Sequence, residues 1–199
     1  SRHFARSSRD AVSIASMPEE ALPADDPELR RLEEEVERSD AEVGFFGKMG
    51  FRGLLAVRDF LGSEPTLSLG SGAAVNEGFL RKLGSDIIAT DIAPDATASD
   101  VLELDALAAV EAYPSRTSLY FSWPPFGDPM AVNCLRRHKE VTGSFPRKVV
   151  YVGEGLGGCT ADDAFHFLLA EEYALVEELE CKRFHGVCDS VYLYERKVP

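Results

Sequence analysis

The chain has 199 residues, 45% of them hydrophobic and 28% charged, the balance of a globular domain with a full hydrophobic core and some appendage. No run approaches the roughly 18 uncharged apolar residues that a membrane-crossing helix needs, so no membrane partner is expected. A net charge of −13 disfavours nucleic acid and anionic surfaces, which demand concentrated Lys and Arg, and favours a small-molecule or protein substrate instead.

Residues 1–25 are rich in Ser, Arg, Ala and Pro without a sustained period and read as a disordered tail. The early arginines with few acids resemble an organelle transit peptide, but a plain flexible extension is the simpler reading. Four sparse cysteines, Cys134, Cys159, Cys181 and Cys188, suggest a reducing compartment, so a cytoplasmic protein is expected. A removed N-terminal import segment is the alternative, because the chain opens on Ser1 rather than Met. Cys181, His185 and Cys188 lie close together but match no standard zinc spacing, so thiols on a strand pair are expected rather than a metal.

Residues 26–62 form an N-terminal helical segment. Asp26 can cap a helix with Pro27 at its first position, and Leu29, Leu32 and Val36 make one apolar stripe. Gly44, Gly47 and Gly50 break the chain before a second helix over 51–61, which carries Leu54, Leu55, Val57 and Phe60 and stops at Gly62. From 63 to 199 short apolar strands at 66–69, 86–90, 101–104, 118–122 and 148–152 alternate with helices at 74–83, 106–113, 129–141 and 161–173. Two strands, 174–184 and 189–197, follow without a helix between them. This order predicts an α/β fold: a doubly wound, mostly parallel seven-stranded sheet with helices on both faces and an antiparallel C-terminal hairpin. A domain of the NAD-binding kind would need a sixth parallel strand, for which no residues remain.

Three strand ends carry candidate ligand-binding residues. After the first strand, Gly70-Ser71-Gly72 lets the backbone turn sharply into a helix whose first amides face the turn. Asp91 ends the second strand, 21 positions after Gly70, where a carboxylate can accept from both hydroxyls of a ribose, and Ile92 would pack on an adenine face. Asp105 follows the third strand, where it can cap the next helix.

The segment 67–74, with Asp91 and Asp105 in order and the terminal hairpin, resembles the class I (Rossmann-like) S-adenosylmethionine (SAM)-dependent methyltransferase superfamily over residues 51–197. The resemblance implies SAM as cofactor, its methionine arm lying on Gly70, Ser71 and Gly72, and, as the alternative to the helix cap, Asp105 meeting the adenine amino group. It also implies a lid role for the helices of 26–62 and a SAM-binding domain over 63–199.

After the fourth strand, Ser122-Trp123-Pro124-Pro125-Phe126 resembles the polar-Pro-Pro-aromatic motif of amino-methyltransferases, in which a polar side chain and the first proline carbonyl aim an amine at the methyl group and the aromatic residue stacks on substrate. Here Trp123 fills the polar position, and indole is a donor only. Ser122 can accept instead if the chain bends, while Trp123 and Phe126 would wall the substrate pocket. Residues 153–158 after the fifth strand hold four glycines in six positions. Glu154 is the candidate base there, Thr160 a natural cap for the next helix, and His185 a candidate acid/base or substrate contact.

The implied activity is methyl transfer from SAM to nitrogen or oxygen of a small-molecule or peptide/protein acceptor. One alternative is a methyltransferase-fold scaffold without transfer activity, in which Trp123, Phe126 and Phe165 meet a partner chain. Another is a SAM-using enzyme of different chemistry.

Overall fold

A computed structural model describes residues 26–39, 47–96, 98, 100–181 and 188–198. The expected tail, residues 1–25, lies outside the described residues. The first helix, α1 (Pro27–Arg38), starts as its sequence dictates: the Asp26 carboxylate accepts from the amides of Glu28 and Leu29 at 2.9 and 3.3 Å. Pro27 costs no bond there, because a first-turn amide has no intrahelical partner. α2 (Phe51–Leu61) ends where Gly62 takes a φ of +58°. Leu54, Leu55, Val57 and Leu61 of α2 are fully buried, so this helix is a core element.

Then come β1 (Thr66–Leu69), α3 (Val75–Lys82), β2 (Ile87–Asp91), β3 (Val101–Glu103), α4 (Ala106–Ala112), β4 (Ser118–Ser122), α5 (Met130–Thr142), β5 (Lys148–Gly153), α6 (Asp163–Glu172), β6 (Tyr173–Glu180) and β7 (Ser190–Arg196). They form one seven-stranded sheet in the order β3-β2-β1-β4-β5-β7-β6. The first five strands pair in parallel, and β7 runs antiparallel between β5 and β6. Strand order reverses between β1 and β4, which opens a crevice at the carboxyl edge where such folds bind ligands.

Alternation along the central strands feeds two cores. Leu67, Leu69, Leu119, Phe121, Val149 and Tyr151 pack against α4, α5 and α6, while Tyr120, Val150 and Val152 pack against α1, α2 and α3. Burying each such side chain contributes about 1.5–3 kcal/mol. β1 departs from the apolar pattern on the α3 side: Thr66 and Ser68 face that layer and are fully buried. Among the described residues no helix is long and apolar enough to cross a membrane.

Two sequence expectations shift. Thr160 is not the cap of α6: Asp162 holds that position and accepts from the Phe165 amide at 2.9 Å. Ala161 adopts a φ of +58° and delays the helix, while the Thr160 hydroxyl turns inward to Tyr151. Phe165 is not part of a surface patch either. It is fully buried, edge-on to Phe121 and Tyr151 at centroid distances of 5.5 and 5.2 Å.

Candidate cofactor and acceptor site

The loop between β1 and α3 is a sequence of left-handed residues. Gly70, Gly72 and Ala74 take φ values of +69°, +53° and +48°. For glycine this costs nothing special; for Ala74, next to the first turn of α3, it is strain held by burial and by the Ala74 amide donating to the Ser71 carbonyl at 2.8 Å. A methyl group on Gly72 would meet no atom within 4 Å, so the loop presents bare backbone to open space. That space is a cavity of about 270 Å³ lined by the loop, by Asn76 and Glu77 at the start of α3, and by Ser122 and Trp123 across the crevice.

Asp91 braces this loop. One carboxylate oxygen accepts from the Gly72 amide and the other from the Ala93 amide, both at 2.8 Å. Ile92 beside it is 69% exposed. Asp105 caps α4, accepting from Leu107 and Ala108 amides at 2.9 and 3.2 Å, and remains exposed. Gly70, Ser71, Gly72 and Ser122 are thus brought to one cavity, with Asp91 at its rim; Ile92 and Asp105 lie further along the same edge.

Behind the loop lies a polar cluster that sequence reading missed. The Ser68 hydroxyl donates to Glu77 at 2.6 Å and pairs with the Ser71 hydroxyl at 2.7 Å. Glu77 is only 2% exposed, and burial pushes its carboxyl above the ordinary value of 4.5, against the opposing pull of Ser68 and Arg81. The signal was present: Asn76 and Glu77 stand four and three positions before Leu80 and share its inward face.

The segment after β4 is more distorted than its motif suggests. Trp123 itself has a φ of +50°, and its amide donates to the Val152 carbonyl at 2.8 Å. The Pro124 carbonyl accepts from the Ala161 amide at 2.9 Å, which uses one of its two lone pairs. Phe126 projects into solvent at 73% exposure. Over Trp123 lies the chain before α2. A Cβ at Gly47 would fall 2.9 Å from the Trp123 ring, 2.8 Å from Val152 and 3.3 Å from the Ser122 hydroxyl.

Asp189, which the sequence places at the start of the last strand, ties these parts together. It is fully buried; one oxygen accepts from the Gly47 amide at 2.7 Å and from the Trp123 indole at 3.3 Å. Its other oxygen has no hydrogen-bond partner among the described residues. Asn76 completes the tie by donating to the Gly47 carbonyl at 2.9 Å and accepting from the Met49 amide at 3.3 Å.

Glu154 clasps two loops. Its oxygens accept from the Cys188 amide at 2.9 Å and the Cys159 amide at 2.7 Å. These donors, Cys188 first, hold its carboxyl below the ordinary 4.5. A carboxylate depressed in the folded state adds stability that is present above its unfolded value and is lost as pH falls through its folded value. Hydrogen-exchange protection of the Cys159 and Cys188 amides, corrected for intrinsic rate, should therefore hold at neutral pH and collapse only below the ordinary carboxylate range. Equal protection in Glu154→Ala and wild type would contradict this. Cys181 is buried and Cys188 exposed, and His185 lies outside the described residues.

No family model matches the sequence, and no curated protein matches it. Solved structures do. TehB from Haemophilus influenzae aligns with a TM-score of 0.55 at 13% identity, over 83% of this chain and 67% of that one. Magnesium protoporphyrin IX methyltransferase (ChlM) from Synechocystis, solved with bound SAM, aligns with a TM-score of 0.51 at 9% identity, over 88% and 100%. The N-methyltransferase NodS from Bradyrhizobium japonicum aligns with a TM-score of 0.50 at 12% identity, over 83% and 98%. The chain therefore has the class I, Rossmann-like methyltransferase fold, with its seven-stranded sheet and antiparallel terminal hairpin.

Proposed function

We propose that this protein is a SAM-dependent methyltransferase acting on nitrogen or oxygen of a small-molecule or protein acceptor. The observation that carries this reading is the bare-backbone cavity at the β1–α3 turn, with the Asp91 carboxylate at its rim and Trp123 on its far wall. The residues fit the cofactor. Gly70, Ser71 and Gly72 offer backbone to an amino-acid arm, and no side chain occupies the space above Gly72. Asp91 would accept from ribose hydroxyls, and Ile92 would cover an adenine face that continues toward Asp105. When bound, SAM supplies an electrophilic methyl group. The protein's part is alignment and exclusion of water, which need neither a metal nor a covalent intermediate.

On the acceptor side, Trp123 and Ser122 form the wall nearest the cavity, beneath Gly47. A lid role for the N-terminal segment is then confined to the stretch around Gly47–Met49, since α2 is core. Trp123, a donor only, in the polar position before Pro124 favours, as a second reading, a protein that binds SAM without transferring its methyl group. Incubating the protein with methyl-labelled SAM and fractionated cell extract separates the two. Label in an extract component, absent with the Asp91→Ala variant, supports transfer. Stoichiometric SAM binding with no label transferred in any fraction supports the second reading.

A further inference from the structure

We propose that Glu77 is the counter-ion for a primary ammonium in the cavity at the β1–α3 turn, making the site selective for nucleosides that carry an α-amino acid arm. This rests on the SAM reading and deepens it.

Glu77 lines the cavity but is nearly closed from bulk water. Its bonded partners on facing elements are hydroxyls: Ser68 of β1, which in turn holds Ser71 of the loop. The charged or titratable groups that bear on it are Arg81, one turn along its own helix, and Tyr120 of β4 on the sheet. No hydrogen bond or ion pair joins Arg81 to Glu77; the Arg81 guanidinium reaches instead to the Ile87 carbonyl at 3.4 Å. Burial raises the carboxyl of Glu77 and also the phenol of Tyr120, whose neighbour Glu77 opposes a second negative charge. A carboxylate placed this way is expensive to keep ionised unless a cation arrives.

The cation that fits is small and has several donors. Besides Glu77, Ser71 and Ser122 line the cavity, and their hydroxyls with the carboxylate match the three donors of an ammonium. The amides of the loop and the start of α3 suit a neighbouring carboxylate. Together these are the two ends of an α-amino acid. A stability role for Glu77 alone, bracing Ser68 and Ser71, would make no distinction between ligands with and without that arm.

The test measures the affinities of S-adenosylhomocysteine (SAH) and 5′-methylthioadenosine, which lacks the amino acid, for wild type and Glu77→Gln by calorimetry. The substitution keeps the size and the hydrogen bond to Ser68 but removes the charge. A loss of about tenfold to a hundredfold for SAH is expected, the range for a charge-assisted hydrogen bond, with methylthioadenosine changed by less than about twofold. Equal losses for both ligands, or none for either, overturns the proposal. If Glu77→Gln shows no cooperative thermal transition, Glu77→Asp carries the same comparison, because it withdraws the charge by one methylene while retaining it. If wild type binds neither ligand, the SAM reading itself fails and the counter-ion role fails with it.

Discussion

Gly47→Val is expected to lower stability by about 2–5 kcal/mol, combining the cost of a left-handed β-branched residue with that of overpacking a filled space. Gly47 has a φ of +72°, and its added Cβ would lie within 3 Å of both Val152 and Trp123. Neither neighbour can retreat. Val152 is fully buried in β5, and the Trp123 ring is tethered to Asp189. The same displacement would pull the Gly47 amide from Asp189 and the Gly47 carbonyl from Asn76. Removing those partners leaves buried polar groups unsatisfied. In a domain of this size such a loss corresponds to a drop in Tm of about 5–20 °C. Thermal denaturation of the purified variant checks it. A Tm within a degree of wild type would mean that Gly47 does not pack on Trp123 as described. Gly72→Ala is the instructive control. It is also left-handed, at +53°, but meets no atom within 4 Å, so only the backbone cost of about 1–2 kcal/mol applies.

Asp91→Ala should weaken SAM binding by about a hundredfold and lower stability by about 1–3 kcal/mol, because the Gly72 and Ala93 amides lose their acceptor. The carboxylate sits at the end of β2, only partly buried, and holds the Gly72 and Ala93 amides. Removing it has two effects on a bound nucleoside. The ribose loses charged acceptors, and the glycine loop loses the bond that fixes Gly72. Each charge-assisted bond is worth about 1.5–3 kcal/mol, so two such losses account for the hundredfold figure even with partial replacement by water. Asp91→Asn retains one acceptor oxygen and should fall between. Calorimetry with SAM reads all three proteins, and an unchanged affinity in Asp91→Ala removes Asp91 from the ribose role.

The fold was legible because its signals are local and repeated. The central strands are short and mostly apolar, the helices carry apolar stripes, and Gly62 and Gly84 stop helices where the sequence places them. The lack of a helix between β6 and β7 fixed the antiparallel end of the sheet. The sharp turn at Gly70 and Gly72 and the place of Asp91 at the end of β2 were legible for the same reason.

What escaped was set by contacts between distant residues. Gly47 and Asp189 are 142 positions apart, and neither is unusual in its own neighbourhood. Thr160 looks like a cap, but the buried Tyr151 hydroxyl competes for it and wins. Glu154 looks like an exposed base at a strand end, yet two loop amides converge on it. Trp123 in place of a polar residue before Pro124 acquires a partner only in space: Asp189, at the entry to β7, accepts from its indole at 3.3 Å. Asp105 had two readings, and the geometry shows the cap, with the carboxylate left exposed.

Isothermal titration calorimetry of the full chain with SAM and with SAH tests the cofactor site most directly. One molecule of each should bind per chain, the two competing for a single site, with 5′-methylthioadenosine binding more weakly. No heat and no thermal stabilisation with any of the three, in protein that melts cooperatively, would contradict the assignment of the β1–α3 cavity to SAM.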